Sequence, residues 1–210
     1  MVITELSEYK GETWKLVIDD EQTFYVNESI VCEFSLRKGL ELCDAALEQI
    51  QGSDTVRKAK RRALYLLGSR QYCYNELYKK LCTTYSEDIA RSAADSMREY
   101  GYINDEDYAP KLADYLIHTK HYGLRKTRYE MLHRGLDENL VEDVLSEITE
   151  DEVDEEITAL LERKYYGKLK DYDQRQRTIA ALARRGYDYR AVKHCIEALL
   201  ENYEDDEDFE

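Results

Sequence analysis

Three stretches of this chain fall on one another when it is laid against itself with a shift of 51 residues, the spacing of Gly135 and Gly186 (186 − 135). "ELYKKLCTTYSEDIARSAADSM" (76–97) aligns with "TRYEMLHRGLDENLVEDVLSEI" (127–148) and with "TIAALARRGYDYRAVKHCIEAL" (178–199). A repeat of this kind constrains the fold strongly, because each copy must be one supersecondary unit whose apolar face is covered by its neighbours. Tetratricopeptide and ankyrin periods, about 33–34 residues, do not fit.

Each aligned column has a mechanical reading. Thr84, Gly135 and Gly186 coincide. Glycine there suits the left-handed position just past a helix end, where a Cβ would clash. Threonine suits it less, so the first turn is expected to close differently. Tyr85, Leu136 and Tyr187 come next and should tuck back onto the helix just left. Ser86, Asp137 and Asp188 should then cap the following helix by accepting bonds from its free N–H groups. Downstream, Ile89/Leu140/Ala191, Ala90/Val141/Val192, Ala93/Val144/Cys195, Ala94/Leu145/Ile196 and Met97/Ile148/Leu199 draw one apolar face at helical spacing. Another helix precedes each pair, over 63–70, 108–119 and 157–166.

Ahead of the repeats, "TWKLVIDDEQTFYV" alternates Trp14, Leu16 and Ile18 with Lys15 and Val17, breaks at "DDEQ", and resumes β-favouring residues at 23–26. That predicts a hairpin, with "VITEL" and "IVCEF" as flanking strands. The expected fold class is therefore mainly α: an elongated tandem array of three three-helix, helix-turn-helix-like units behind a small N-terminal β segment. The expected divisions are 1–52 (β segment and linking helix), 53–101, 102–150 and 151–202 (the three units), and an acidic tail, 203–210, expected to be disordered. Only 9 Gly and 1 Pro among 210 residues agree with long helices.

Several function classes are disfavoured. No apolar run approaches the roughly 20 residues that span a bilayer, and the first residues, "MVITELSEYKGETW", lack the basic start and apolar core of a secretory signal. A cytoplasmic protein is expected. Cys32, Cys43, Cys73, Cys82 and Cys195 are odd in number and show no CxxC spacing, as expected of reduced thiols on helix faces. Asp114, His118 and His121 share an i, i+4, i+7 face but make too poor a ligand set for a metal. No phosphate-cradling glycine loop and no nucleophile motif is present, so neither an enzyme nor a cofactor is expected.

Charge is where function can be read. The chain carries −15 overall, yet residues 53–101 hold ten basic against six acidic side chains. The candidate basic strip starts with Arg57, Lys58, Lys60, Arg61 and Arg62 and continues with Lys79 and Lys80. The later units add Arg125, Lys126 and Arg128, then Arg175, Arg177, Arg184 and Arg185 at related repeat positions. A single such residue is ordinarily a solvated helix face; recurrence on one helix of successive units favours a shared binding band. The 19 tyrosines are expected chiefly to pack helix on helix with their hydroxyls reaching water, rather than to stack on bases.

In order, "ALYLLGSRQYCYNELYKKL", "MREYGYINDEDYA", "RYEMLHRGLDENLVEDVL" and "ALARRGYDYRAVKHCI" resemble the RecX family over roughly residues 60 to 200. "FYVNESIVCEFSLRKGLEL" resembles the end of the β-containing extension that many members carry. The resemblance implies a regulator, without chemistry of its own, that lies in the groove of a RecA filament on single-stranded DNA and restrains recombinase, strand-exchange and ATPase activity in DNA repair. RecA, and single-stranded DNA within its filament, are the expected partners of a monomer. Two features depart from the family pattern. Pro110 falls inside the helix that "NDEDYA" opens, which predicts a kink or a start nearer Ala109. The other is the acidic terminus "ENYEDDEDFE". A helix-turn-helix DNA reader is the rival, weakened by the acidic helix "DENLVEDVLSE" after its turn. A helical scaffold for another protein is the third reading.

Overall fold

The computed structural model describes residues 1–207, with side-chain surroundings through Glu201. The tail expected to be disordered from residue 203 is corrected in part: its backbone is helical through Glu207, and 208–210 lie outside the described residues. The predicted hairpin is the heart of a three-stranded antiparallel meander: β1 (Ile3–Lys10), β2 (Thr13–Ile18) and β3 (Gln22–Asn27), in the order β1-β2-β3. Asp19 and Asp20 both take positive φ (52° and 58°) and turn β2 into β3, the twist a tight hairpin requires. "VITEL" opens β1, but "IVCEF" is a correction: it falls mostly in the short helix α1 (Glu28–Glu33). The Asn27 side chain accepts from Ser29 N–H, and Glu28 sits in the first turn. Local capping here overrides the strand preference of Ile30 and Val31.

Helix α2 (Asp44–Leu67) runs unbroken through residue 52, where a division was expected. It pairs with α4 (Glu87–Glu99), whose buried Ala90, Ala93 and Ala94, with Ala59 and Ala63 of α2, are small side chains that let two backbones come close. Between them in sequence lies α3 (Tyr74–Cys82). The next three are α5 (Asp105–Asp114), α6 (Leu124–Arg134) and α7 (Glu138–Ser146). The last three are α8 (Glu150–Lys164), α9 (Tyr172–Arg184) and α10 (Tyr189–Glu207). Ten α-helices are thus seen among the described residues. Helix α5 starts at Asp105, capped by Asn104 on Asp107 N–H, and not near Ala109. Pro110 sits within it, and the helix passes at Tyr115–Thr119 into a π-helical turn.

By contacts the described chain divides into two units: Met1–Gln71 with Leu77–Tyr102, and Tyr72–Glu76 with Ile103 onward. In the first, Ile3, Leu16, Ile18, Val26, Leu47 and Ile50 bury the sheet against α1 and the start of α2. In the second, one cluster centres on Leu112, Met131 and Val141, and another on Leu160, Leu182 and Ile196. The predicted apolar columns supply much of these cores: Ala90, Val141 and Val192 are all fully buried.

Candidate partner-binding surface

The repeat glycines occupy the same setting. Gly135 (φ +97°) donates to Leu132 O at 2.9 Å and Leu136 N–H to Met131 O at 3.3 Å; Gly186 (φ +91°) and Tyr187 repeat both bonds on Ala183 and Leu182, at 2.9 and 3.3 Å. Leu136 and Tyr187 are buried as the tucked residues. Asp137 and Asp188 accept from N–H groups of the following helices. The first unit departs in two ways: Thr84 and Tyr85 both donate to Leu81 O, and Ser86 forms no side-chain cap bond.

The structure adds a constraint on each glycine that periodicity did not carry. A Cβ on Gly135 would lie 2.7 Å from Asn75 Cβ, and a Cβ on Gly186 would lie 2.4 Å from Lys126 N. Asn75 and Lys126 are themselves one repeat apart (126 − 75 = 51). Each turn is thus a seat for the start of an earlier helix. Asn75 Nδ2 donates to Gly135 O at 2.6 Å, and Arg125 N–H to Gly186 O at 3.3 Å. Gly123 completes the second seat, its N–H on Arg185 O at 2.9 Å and its own Cβ position 2.3 Å from Tyr187 N.

The basic strip sorts into engaged and open cations. Arg57 faces Glu12 at 3.9 Å, and Lys58 holds the buried Asp54 at 2.6 Å. Arg125 reaches Asp188 at 2.9 Å, Arg128 is clamped between Glu138 and Glu142, and Arg185 donates to His121 O at 3.5 Å. Arg62 lies over the Tyr65 ring and Lys126 over Tyr122. Arg175 is half-buried, with its Nε hidden from solvent. Lys60, Arg61, Lys79, Lys80, Arg177 and Arg184 have no acidic partner among the described ion pairs. All of these except the half-buried Lys60 are exposed. Arg57, Lys58, Lys60 and Arg61 share one cleft of about 400 Å³, between α2, the ends of β2 and β3, and the end of α4.

The model for the third three-helix domain of RecX matches residues 150–196, which hold α8, α9 and the start of α10. The regulatory protein RecX of Clostridioides difficile (strain 630) is 24% identical over 204 residues, spanning 95% of this chain and 96% of its own. That of Bacillus subtilis (strain 168) is 27% identical, spanning 99% of this chain and 80% of its own. A crystal structure of a regulatory protein RecX superposes with a TM-score of 0.69 at 23% identity, over 92% of this chain and 98% of that one. Over nearly its whole length the chain is similar to regulatory proteins RecX, and it shares the fold of a solved one. RecX from Lactobacillus salivarius shares the fold over 70% of this chain, with a TM-score of 0.62.

Other groups in this chain bear on function. Burial pushes the Cys195 thiol up to about 11 and raises that of Cys73, so neither is a thiolate at neutral pH. The tyrosine expectation is corrected: Tyr72, Tyr108 and Tyr187 are buried, but ten tyrosines among the described residues, Tyr25, Tyr65, Tyr100 and Tyr129 included, are exposed. His118 and His121 gather on Glu156 of α8, at 2.6 and 3.4 Å, with Asp114 3.7 Å from His118. Arg163 lies 2.7 Å from His121 Nε2. Residue-by-residue reading of the basic strip did not find Tyr25, Asn27, Asp54, Met97 and Tyr100, which complete the α2 cleft. The one signal they left in the sequence is a β3 without lysine, arginine or proline.

Proposed function

We propose that this chain binds RecA and RecA filaments on single-stranded DNA as a cytoplasmic monomer, and inhibits strand exchange and ATP turnover without catalysing a reaction itself. The likeness to regulatory proteins RecX supplies the regulatory class. The observation that carries the finer reading is the set of open cations, Lys60, Arg61, Lys79, Lys80, Arg177 and Arg184, in a molecule of net charge −15. An acidic chain that leaves these cations unneutralised has a surface for an acidic protein face or for the phosphates of a strand already held by RecA. The engaged cations, Arg57, Lys58, Arg125 and Arg128, act first within the fold. The division into three-helix units is part of this proposal, supported by the pairings α2 with α4, α5 and α6 with α7, and α8 and α9 with α10.

The test is RecA-dependent ATP hydrolysis on single-stranded DNA, titrated with the full chain. The native protein should lower the rate, and Lys60→Glu with Arg61→Glu, Lys79→Glu and Lys80→Glu should raise the concentration needed by about tenfold, most clearly at low salt. A titration curve and salt response identical to the native protein would remove these four residues from the contact. No effect of the native chain on hydrolysis would remove RecA ATP turnover from its function.

A further inference from the structure

The two edges of the N-terminal sheet are treated differently. Along β1 the register shifts twice, between Ile3 and Glu5 and between Glu8 and Lys10. The start of β1 is covered by residues 39–42: Ile3 N–H donates to Leu40 O at 3.0 Å and Gly39 N–H to Ile3 O at 2.8 Å. Bulges and a covering segment are the usual protections of an edge. β3 has neither. Its six residues, QTFYVN, pair with β2 without a register shift, and Thr23 and Tyr25 are exposed.

The ladder shows which β3 groups are open. Glu28 N–H donates to Glu12 O at 2.7 Å, the bond that flanks a non-hydrogen-bonded Asn27–Thr13 pair. By alternation Tyr25–Lys15 and Thr23–Val17 are pairs of the same kind. The backbone N–H and C=O of Thr23, Tyr25 and Asn27 therefore point away from β2. Asn27 N–H is taken by the Asp54 carboxylate of α2, at 3.2 Å. The next outward donor, Tyr25 N–H, and its neighbouring C=O meet no backbone partner among the described residues. Beside them stand Lys60 and Arg61, with Val26, Leu64 and Met97 as an apolar floor.

We propose that β3 and α2 form a docking groove for an extended, acidic peptide segment, which adds to the free edge at Thr23 and Tyr25, sets carboxylates against Lys60 and Arg61, and lays an apolar side chain on the floor. Asp54 already shows a carboxylate held on this edge. Peptide is favoured over nucleic acid because the open edge offers carbonyls as well as N–H groups. A strand answers both, whereas a phosphodiester backbone has no donor for the carbonyls. The inference takes the binding role of Lys60 and Arg61 from the proposed function, but it is tested without RecA.

The probe is a short fluorescein-labelled peptide alternating Glu and Val, followed by anisotropy with the full chain. Saturable binding is expected, weakened about tenfold by Lys60→Glu with Arg61→Glu, and lost when alternate peptide amides are N-methylated. Tyr25→Pro removes an outward N–H, together with the ring packed on Tyr9, at a position where an edge strand tolerates proline, and should abolish binding while Trp14 fluorescence stays native. If that variant unfolds, the N-methylated peptide decides. Equal binding of the methylated peptide, or no binding of either, would overturn the proposal. So would oligodeoxythymidylate displacing the peptide and losing more affinity than it on charge reversal. The same variants assayed for RecA-dependent ATP hydrolysis separate the two failures. Peptide binding with no effect of the native chain on RecA sinks only the RecA reading, and the converse sinks only the groove.

Discussion

At residue scale the repeat turns on glycine, for two reasons that act together at Gly186. Its φ of +91° is strained for any L residue, and a Cβ would enter Lys126 at 2.4 Å. Backbone N–H cannot yield as a flexible side chain can, so Gly186→Ala should cost about 2 kcal/mol or more. Gly52 is the contrast: it lies in the middle of α2 with nothing within 4 Å of its Cβ position. Gly52→Ala should stabilise by about 0.5–1 kcal/mol. Chemical denaturation, followed by far-UV circular dichroism for Gly186 and by Trp14 fluorescence for Gly52, checks both signs. Thr84 fits the same account. It lies at the glycine column without a positive φ, and its turn closes on Leu81 O alone.

Among elements, α8 is joined by ionisable side chains to the π-helical turn that follows α5. His118 is held above its ordinary value by its bond to Glu156, opposed by partial desolvation, with Asp114 and Glu152 adding to the pull. His121 and the buried Tyr187 also border this carboxylate, and Arg163 contacts His121 in turn. A histidine raised on folding stabilises fully below its unfolded value, about 6.5, and that contribution fades as pH rises through the folded value. The stability difference between the native chain and His118→Gln should therefore be greatest below about pH 6.5 and shrink towards pH 8.5. By NMR the His118 titration should lie above 6.5, and Glu156→Gln should lower it. A difference independent of pH would show that the pair contributes only packing. The helices themselves were legible because capping and apolar spacing are local, as at Asn104 and in the Ala90/Val141/Val192 column. The α1 segment misled because Asn27 and Glu28 outweigh a β-branched run. The state of the basic strip was illegible for a different reason: Glu12 neutralises Arg57 and Asp188 neutralises Arg125 from far along the chain, 63 residues away in the second case.

For the whole molecule, net charge separates the remaining readings. A duplex reader gains affinity by replacing counterions with cations along phosphates, and each neutralised phosphate adds to the salt dependence. This chain carries 45 acidic side chains against 30 basic ones. The helix that would enter a major groove after the Gly135 turn, α7, has Glu138, Glu142 and Asp143 on it, and two of these acids already bind Arg128. No described helix is long and apolar enough to cross a membrane, so a bilayer-spanning helix does not compete as an explanation. In a gel, duplex DNA should therefore run unretarded with the full chain near physiological salt, while RecA-coated single strands should shift further when it is added. The order of the two responses matters more than either alone. If duplex were retarded without RecA, with a preferred sequence and a steep loss on raising salt, the turn-and-helix pairs would be reading DNA directly. The open cations at Lys60, Arg61, Arg177 and Arg184 would then belong to phosphate contacts. If neither substrate shifted, those cations would serve a partner other than a nucleoprotein filament, and the β3 edge would be the surface from which to find it.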